Sequence, residues 1–415
     1  MSKRFSHFAF FVFAVSNLFL SFISTAIAQD FTLVESTPVE TILDQSKLPR
    51  ATDVWLDMIN GSKESLDIEM FYIANEKGEA LEKVLKAIKD AASRGVIVRV
   101  IIDESFYNSS EKSADELNDI QNITIRKIPF KKIAGGVMHA KYFVADKKDL
   151  FLGSQNMDWR ALKHIHEMGV RVKSDKMAKM FLNIFEIDWQ LCEDYSDANI
   201  KTLVKKYSTD IITSRKPLKI ETKEYGEIKL YPAFGPAEVT PSWCNSEIKE
   251  LVKIIKNSKE RLCIQMFSYS TKGKTKSEGF DKIDNALRSA AARGVKIKII
   301  FSNWAIKKGA TESIQDLSTV PNIEIKFSNI PLCSEGFIPY SRVEHCKYFI
   351  ADSDISWVST SNWERSYFYE CRNATMIVKN KKVNSLLEEV FLRDWNSSLV
   401  EKVDIEKEYK PVKKK

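Results

Sequence analysis

The chain has 415 residues, of which 44% are hydrophobic and 29% are charged, with 11 prolines and 14 glycines. This composition excludes a disordered, collagen-like or disulfide-scaffold protein, and the length suffices for about two or three domains with real cores. The formal net charge of +7 is compatible with an anionic partner but is too small for a protein that coats nucleic acid.

Residues 1–28 are predicted to be an export signal. Lys3 and Arg4 precede a strongly apolar stretch, and Ala26-Ile27-Ala28 has the small-x-small form of a signal-peptidase site. The alternative is an uncleaved membrane anchor, because an apolar stretch of about 20 residues is just long enough to span a bilayer. In both cases the following residues are expected outside the cytosol, in a secreted, periplasmic or endolysosomal protein. Membrane contact is expected only if this segment is not cleaved.

Cysteine and histidine are both scarce enough to be informative. The six cysteines permit disulfides in an exported protein, but the sequence leaves their pairing open, and without a CxxC pair a zinc site is not expected. Four histidines follow the export segment: His139, His164, His166 and His345. Since His164 and His166 have no partner cluster, we interpret them as part of a polar surface segment and not as metal ligands.

The first regular elements follow the pattern of an α/β fold. Residues 66–72 alternate like a strand, residues 78–93 carry apolar side chains at helical spacing, and residues 96–102 form a second strand-like run. Gly95 is expected to end the helix in the left-handed conformation. Strand, helix and strand in this order predict a layered α/β architecture.

The chain contains an internal repeat. Four segments recur in the same order at separations of 196 to 206 residues: 62–71 with 258–267, 92–101 with 291–300, 122–126 with 322–326, and 185–189 with 391–395. Their number and order indicate a duplication. The resulting domain prediction is a first half over residues 29–200, a linker over 201–226, a second half over 227–400 and a disordered basic tail over 401–415.

The repeat also contains a polar motif, in which HxK is followed after four residues by Asp and then by a turn that ends in Asn. Its members in the two copies are His139 and His345, Lys141 and Lys347, Asp146 and Asp352, Ser154 and Thr360, and Asn156 and Asn362, each pair 206 residues apart. Because alternate residues of a strand point to one face, the His and Lys of each copy are expected to project together. We count the two aspartates with the catalytic motif, although their positions at strand ends favour an anchoring role.

If the two copies meet about a pseudo-twofold axis, two imidazoles, two ammonium groups and two amides converge on one point. This set suits a tetrahedral phosphodiester, because the lysines and the asparagine turns can hold its oxygens and the charge that grows in the transition state. One neutral histidine can attack phosphorus while the other donates a proton to the leaving oxygen, and water then hydrolyses the phosphohistidine. No metal or other cofactor is expected, since the lysines supply the positive charge. A degenerate, non-catalytic copy is the alternative, because Ser359 stands where the first copy has Gly153.

Two glutamates are candidate partners of the motif histidines. Glu167 lies 28 residues after His139, and Glu370 lies 25 residues after His345. A carboxylate that accepts a hydrogen bond from the far imidazole nitrogen would fix the tautomer and raise the basicity of the ring. The alternative for each is a solvated surface glutamate.

With these residues the chain resembles the phospholipase D superfamily, whose signature is two copies of HxKx4D followed by a GSxN-like element. Further segments resemble the animal lysosomal members of that family and related poxvirus proteins: 33–38, 136–139, 152–160, 338–343, 360–363 and 391–395. The resemblance implies two α/β/α sandwich halves that form a pseudo-dimer with one shared active site. It also implies metal-independent 5′-exonuclease activity on single-stranded DNA and RNA, and it supports Glu167 and Glu370 as histidine partners.

The sequence therefore predicts a phosphodiesterase that acts through a phosphohistidine, with single-stranded nucleic acid as the first-choice substrate and no obligate protein partner. The main alternative is a phospholipase D or phosphatidyl transferase acting on phospholipids, which should have an exposed apolar rim around its site. A catalytically impaired protein that binds nucleic acid or lipid is the second alternative, and the intact His139 and His345 argue against it.

Overall fold

The computed structural model of the chain describes residues 30–206, 211–275 and 279–414. The expected export segment over residues 1–28 lies outside these ranges, so the choice between signal and anchor stays a prediction. Within them, no helix combines the length and the apolar character that a membrane crossing requires. All six cysteines lie in the described ranges and are free thiols.

The first half is a mixed sheet covered by helices. Its strands are β1 (Asp30–Ser36), β2 (Ser65–Met70), β3 (Ile73–Ala74), β4 (Ile97–Asp103), β5 (Ile123–Ile128), β6 (Lys141–Ala145), β7 (Asp149–Gly153), β8 (Met157–Asp158) and β9 (Ile165–Lys173). Its helices are α1 (Ala51–Gly61), α2 (Ala80–Ser93), α3 (Tyr107–Asn118), α4 (Phe130–Ala134), α5 (Trp159–Lys163), α6 (Asp175–Leu191) and α7 (Asp197–Lys206). The main sheet has the order β1-β9-β7-β6-β2-β4-β5, in which β2, β4 and β5 are parallel and the other neighbours are antiparallel.

The second half repeats this arrangement. Its strands are β10 (Leu218–Thr222), β11 (Gly226–Gly235), β12 (Asn245–Ser246), β13 (Arg261–Met266), β14 (Lys296–Ser302), β15 (Ile323–Ser328), β16 (Val343–Glu344), β17 (Lys347–Ala351), β18 (Ile355–Ser359), β19 (Asn373–Lys379) and β20 (Val400–Lys402). Its helices are α8 (Glu247–Asn257), α9 (Lys282–Ala292), α10 (Ala310–Ser318), α11 (Arg365–Tyr369) and α12 (Lys381–Trp395). The order β11-β19-β18-β17-β13-β14-β15 matches the first sheet strand for strand, with β10 and β20 added at the edges. The predicted α/β fold with two duplicated halves is confirmed.

Burial explains why the early sequence patterns predicted the correct elements. The periodic residues of α2, which include Leu81, Val84 and Ile88, are all buried, and β2 and β4 flank the helix in the chain. Gly95 follows the helix with a φ of 94°, a left-handed conformation that costs other residues about 1 kcal/mol or more. Helices α1, α2 and α3 cover one face of the first sheet, and α6 covers the face turned towards the second half.

The two halves are interlocked through their motif strands. β16 of the second half pairs in parallel with β9 of the first, and Met138 of the first half bridges to Arg372 of the second. The backbone N–H of His345 donates to the His166 carbonyl at 2.9 Å, and the N–H of His139 donates to the Arg372 carbonyl at 2.9 Å. One apolar cluster continues from the first half into the second. Backbone pairing and core packing therefore both fix one half against the other.

The predicted linker and the predicted tail both contain regular structure. The linker over residues 201–226 contains the end of α7 and all of β10, whose buried and exposed residues alternate as in a surface strand. The expectation of a disordered tail is wrong for the described part of residues 401–415. There β20 pairs with β15, and Tyr409 packs edge-on against Phe327 with ring centroids 5.1 Å apart.

Candidate active site

The two HxK motifs occupy equivalent positions in the two sheets. His139 and His345 each lie two residues before a central strand, and Lys141 and Lys347 are the first residues of those strands, β6 and β17. Both imidazoles line a single cavity of about 580 Å³ between the halves. The structure thus brings the four predicted basic residues together.

His345 is held by a carboxylate from the opposite half. Its Nδ1 lies 2.8 Å from Oε2 of Glu167, which is completely buried on β9. Burial raises the pKa of Glu167 well above its usual range, and the charge of Lys347 partly offsets this effect. When Glu167 is ionised it accepts from Nδ1–H of His345, so that Nε2 faces the cavity with its lone pair.

His139 is held by an amide, also from the opposite half. Its Nδ1 lies 3.1 Å from Oδ1 of Asn373 on β19. The orientation of this amide is fixed, because its Nδ2 donates to the Tyr367 carbonyl at 2.8 Å and its Oδ1 accepts from the Thr360 hydroxyl at 2.8 Å. His139 therefore donates from Nδ1 and also presents the Nε2 lone pair to the cavity.

The prediction that Glu370 supports a histidine is wrong. Glu370 follows helix α11 and pairs with Arg365, whereas Asn373 occupies the partner position. Asn373 lies 206 residues after Glu167, the same separation as for every other pair of motif residues. Asn373 is an amide, so the expectation of a second carboxylate excludes it. The constant separation of 206 residues from the first copy identifies Asn373 as the partner of His139.

The two lysines supply buried positive charge. Nζ of Lys141 donates to the His139 carbonyl at 2.6 Å, and Nζ of Lys347 donates to the His345 carbonyl at 2.8 Å. Burial lowers the pKa of Lys347 to about 8 and lowers that of Lys141 well below its usual range. Burial and the two lysine charges also lower the pKa of both histidines well below their usual range. Neutral rings beside ammonium groups make the cavity selective for an anion.

The turn residues divide into two groups. Asn156 and Asn362 line the cavity, and the Oδ1 atom of each is buried without a hydrogen-bond partner in the described chain. Ser154 and Thr360, which were predicted to bind phosphate or to support its binding, do not line the cavity. The Ser154 hydroxyl accepts from the backbone of Met168 at 3.1 Å, and Thr360 donates to Asn373. These hydroxyl groups therefore support the strands that carry the histidine partners.

The second copy has Ser359 where the first copy has Gly153, and this difference does not disturb the cavity. A Cβ atom at Gly153 would lie 2.1 Å from Oε1 of Gln155, so the first half requires glycine there. In the second half Ser361 replaces the glutamine, and Ser359 and Ser361 both donate to the buried Glu247, at 2.7 and 2.8 Å. The substitutions compensate each other, so this difference gives no reason to regard the second copy as degenerate.

Asp146 and Asp352 are structural, and their inclusion among the catalytic residues is wrong. Asp146 accepts hydrogen bonds from the backbone N–H groups of residues 63–65 at 2.7 to 3.2 Å. Asp352 does the same for residues 259–261 at 2.8 to 3.2 Å. Each carboxylate thus ties the start of β2 or β13 to the far end of a motif strand, away from the cavity.

Aromatic side chains form much of the cavity wall, and the sequence patterns did not single them out. The aromatic residues that line it are Phe71, Tyr72, Phe106, Phe267, Trp304, Tyr340 and Tyr367. Phe71 and Phe267 are equivalent in the repeat and pack against His139 and His345, with centroids 5.0 and 4.7 Å apart. The cavity can therefore hold an anion at its base and planar or apolar groups along its walls.

The interpretation of His164 and His166 as surface residues is wrong, because both are completely buried. His166 lies between Glu35, 2.7 Å from Nε2, and Glu344, 2.6 Å from Nδ1. Burial opposes a charged ring, but Glu344 and Asp394 hold the pKa of His166 well above its usual range. His166, Glu344 and Cys346 place potential metal-ligand atoms within 4.8 Å of one another. Both ring nitrogens are already hydrogen-bonded to carboxylates, so this cluster joins the halves as a buried ion network.

Known proteins resemble the chain over most of its length. The "Probable phospholipase D F09G2.8" of Caenorhabditis elegans is 28% identical over 390 residues, which cover 88% of this chain and 69% of that protein. The bovine "5'-3' exonuclease PLD3" is 29% identical over 392 residues, covering 88% and 79%. The "Virion nicking-joining enzyme" of vaccinia virus is 28% identical over 383 residues, covering 88% and 87%.

A solved structure and a family model also match the chain over most of its length. The crystal structure of phosphatidylserine synthase from Haemophilus influenzae superposes with a TM-score of 0.58 over 85% of each chain, at 11% identity, so it supports the fold alone. The family described as "Cardiolipin synthase, PLD-like domain" matches residues 55–189 and 251–395, one match in each half. The chain therefore belongs to the phospholipase D family of phosphodiesterases.

Proposed function

We propose that this protein is a metal-independent phosphodiesterase that cleaves single-stranded DNA or RNA from the 5′ end through a phosphohistidine. One observation carries the proposal: His139 and His345 line a single cavity with aromatic walls, and a buried lysine lies directly behind each histidine, hydrogen-bonded to its carbonyl. The bovine and vaccinia relatives, whose names describe an exonuclease and a nicking-joining enzyme, support nucleic acid as substrate. The preference for the 5′ end rests on the mammalian relatives whose names describe a 5'-3' exonuclease, the bovine protein among them.

The different partners of the two histidines divide their roles. Asn373 is neutral and gives His139 no reason to hold a second proton, so His139 is the nucleophile. Glu167 stabilises a positive charge on His345, because a carboxylate that accepts from Nδ1–H favours the imidazolium form. His345 is therefore the proton donor in the first step and the base in the second.

The bound anionic substrate favours the imidazolium form of His345, which then carries a proton on Nε2 as well as on Nδ1. In the first step, Nε2 of His139 forms a bond to phosphorus while the bond to the leaving oxygen breaks, and that oxygen takes the proton from Nε2 of His345. In the second step, water attacks phosphorus, gives a proton to Nε2 of His345 and releases His139. Lys141 and Lys347 turn from the histidine carbonyls to the non-bridging oxygens. Their charges stabilise the transition state in this buried space, where an electrostatic interaction is stronger than in water.

The cavity wall favours a nucleotide. Bases stack on aromatic side chains with about 1–3 kcal/mol each, and they do so with little dependence on sequence. Trp304 and Tyr340 form one aromatic pair in the cavity wall, with ring centroids 6.4 Å apart, and Phe71 and Phe106 form another at 4.2 Å, so more than one base has a surface to stack on.

A phospholipid substrate is the second candidate, and one surface feature favours it. Leu332, Phe337 and Tyr340 are 58%, 43% and 39% exposed on the segment that leads to β16, and Tyr340 also lines the cavity. These side chains form a short apolar rim on one side of the entrance. It is small beside the apolar surface that membrane enzymes insert, so we rank this activity below nucleolysis.

The first prediction concerns Glu167. We expect Glu167→Gln to lower kcat for bis(p-nitrophenyl) phosphate by about 100-fold, because His345 loses the carboxylate that supports it as a base. Nitrophenolate leaves without a proton, so stopped-flow absorbance should show a rapid burst followed by slow turnover. Glu370→Gln is the matched control and should keep wild-type kinetics. Equal effects of the two substitutions would contradict the assignment of Glu167.

The second prediction concerns alkaline pH. Lys347 must be protonated to bind phosphate, and burial lowers its pKa to about 8. The charge is therefore present below pH 8 and is lost as the pH rises through that value. We expect kcat/KM for bis(p-nitrophenyl) phosphate, whose own charge is constant in this range, to fall above about pH 8. A profile that is flat from neutral pH to the usual pKa of lysine would show that Lys347 is not required in its charged form.

The third prediction concerns substrate and metal. In EDTA, the purified chain should release nucleotides from 5′-labelled single-stranded DNA and no headgroup from phosphatidylcholine vesicles. His139→Ala and His345→Ala should each reduce nucleotide release to background, because both rings serve one site. Headgroup release alone would favour the lipid candidate, and inactivity in EDTA would contradict metal independence. A near-normal rate in either histidine variant would exclude the shared site.

A further inference from the structure

A second cavity of about 560 Å³ lies beside the catalytic cavity on the second half. Its walls carry five basic residues: Lys272, Lys274, Lys307, Lys308 and Arg365. The two cavities share the same chain segments, since Trp304 and Asn362 line the first, and Lys307 and Glu364 line the second. The two cavities therefore lie on neighbouring parts of the same two chain segments.

The cleft has more positive charge than its own carboxylates neutralise. Glu364 pairs with Lys307 at 2.8 Å, and Glu370 pairs with Arg365. Lys274 and Lys308 are exposed and form no ion pair with the described residues. The charges that remain can be neutralised by an anionic ligand.

Lys272 of the cleft is held in position by a backbone carbonyl. Nζ of Lys272 donates to the Lys308 carbonyl at 2.7 Å. Its side chain crosses Gly309, where a Cβ atom would lie 2.1 Å from Cε of Lys272. Gly309 also has a φ of 81°, which favours glycine, so the turn and the position of the lysine depend on the same residue.

The basic tail adds another cation at the aromatic wall of the catalytic cavity. The backbone N–H of Tyr340 donates to the Lys414 carbonyl at 3.0 Å, and Nζ of Lys414 lies 4.9 Å from the centroid of the Trp304 ring. Partial burial and the charge of Lys307 lower the pKa of Lys414. Lys414 thus adds a cation at the aromatic wall of the catalytic cavity, beside the segment that leads from Trp304 to Lys307 and Lys308 of the cleft.

We propose that this basic cleft binds the phosphate backbone of the nucleic-acid strand that extends beyond the scissile phosphate. The inference rests on the proposed nuclease function and extends it to a longer binding site. A single strand suits the cleft because its phosphates recur along a flexible chain and can follow a concave, lysine-lined surface. An anionic bilayer needs a convex or flat basic face, and these lysines lie within a depression next to an aromatic cavity.

The test combines Lys274→Glu and Lys308→Glu in the full chain and compares a twenty-nucleotide single strand with a dinucleotide, which is too short to reach the cleft. We expect the KM of the long strand to rise about tenfold and the slope of log(kcat/KM) against log salt to become shallower by about 1 or more. The preference of the wild-type protein for the long strand should disappear. Lys83→Glu with Lys179→Glu is the matched control, because both lysines are exposed on α2 and α6 and line neither cavity.

The outcomes separate this inference from the function on which it rests. If the wild-type chain does not cleave either nucleic acid, the proposed function is wrong and the cleft proposal falls with it. If the wild-type chain cleaves both and the cleft variant keeps the long-strand KM and salt slope, the cleft proposal alone is overturned. An effect of the same size in the control pair also overturns it, as does a cleft variant that loses only its binding to phosphatidylserine vesicles.

Discussion

The active site depends on a crossed pair of hydrogen bonds. Each catalytic imidazole belongs to one half of the chain, and the group that orients it belongs to the other: Glu167 holds His345, and Asn373 holds His139. The backbones cross in the same way, since His139 and His345 each donate to a carbonyl on the partner strand of the opposite half. Any shift between the halves would therefore disorient both rings at once. This constraint explains why the duplicated halves form one rigid unit around one site.

Buried charges behind the site enforce the same fit. Arg372 of the second half pairs with Asp188 of the first at 2.6 Å, and both are completely buried. The equivalent residues of the repeat are His166 in the first half and Asp394 in the second, and these two also pair. Glu344 of the second half makes a further contact with His166. Because an unpaired buried charge costs several kcal/mol, separation of the halves would leave ions without partners on both sides. The duplication thus carries reciprocal ion pairs, with arginine in one of them and histidine at the equivalent position of the other.

The two halves are equivalent in fold but differ in chemistry where it matters. The Glu167 and Asn373 positions correspond, yet one group can stabilise an imidazolium and the other cannot. A two-step reaction needs a nucleophile and a proton carrier, which are different tasks. The difference between Glu167 and Asn373 assigns these two tasks to different histidines, although the two HxK motifs are themselves alike.

Repetition made much of this predictable. The separation of 206 residues identified both histidines, both lysines and both asparagines, and period-two and helical patterns located β2, α2 and β4. Asn373 was missed because the search was for a carboxylate, although its position was fixed by Glu167. The burial of His166 and the ordering of the tail depend on contacts between residues far apart in the chain, with Glu344 and Phe327 respectively. Local polarity carries no information about such contacts, so both segments were assigned to the surface or to disorder.

The covalent intermediate tests the central claim most directly. Glu167→Gln should accumulate it with bis(p-nitrophenyl) phosphate, and an alkaline quench followed by mass spectrometry of the peptides would locate it. Since the crossed hydrogen bonds create one site with His139 as nucleophile, we expect one nitrophenylphosphoryl group per chain, attached to His139. Attachment to His345, attachment to both histidines, or a burst with no adduct would contradict this account.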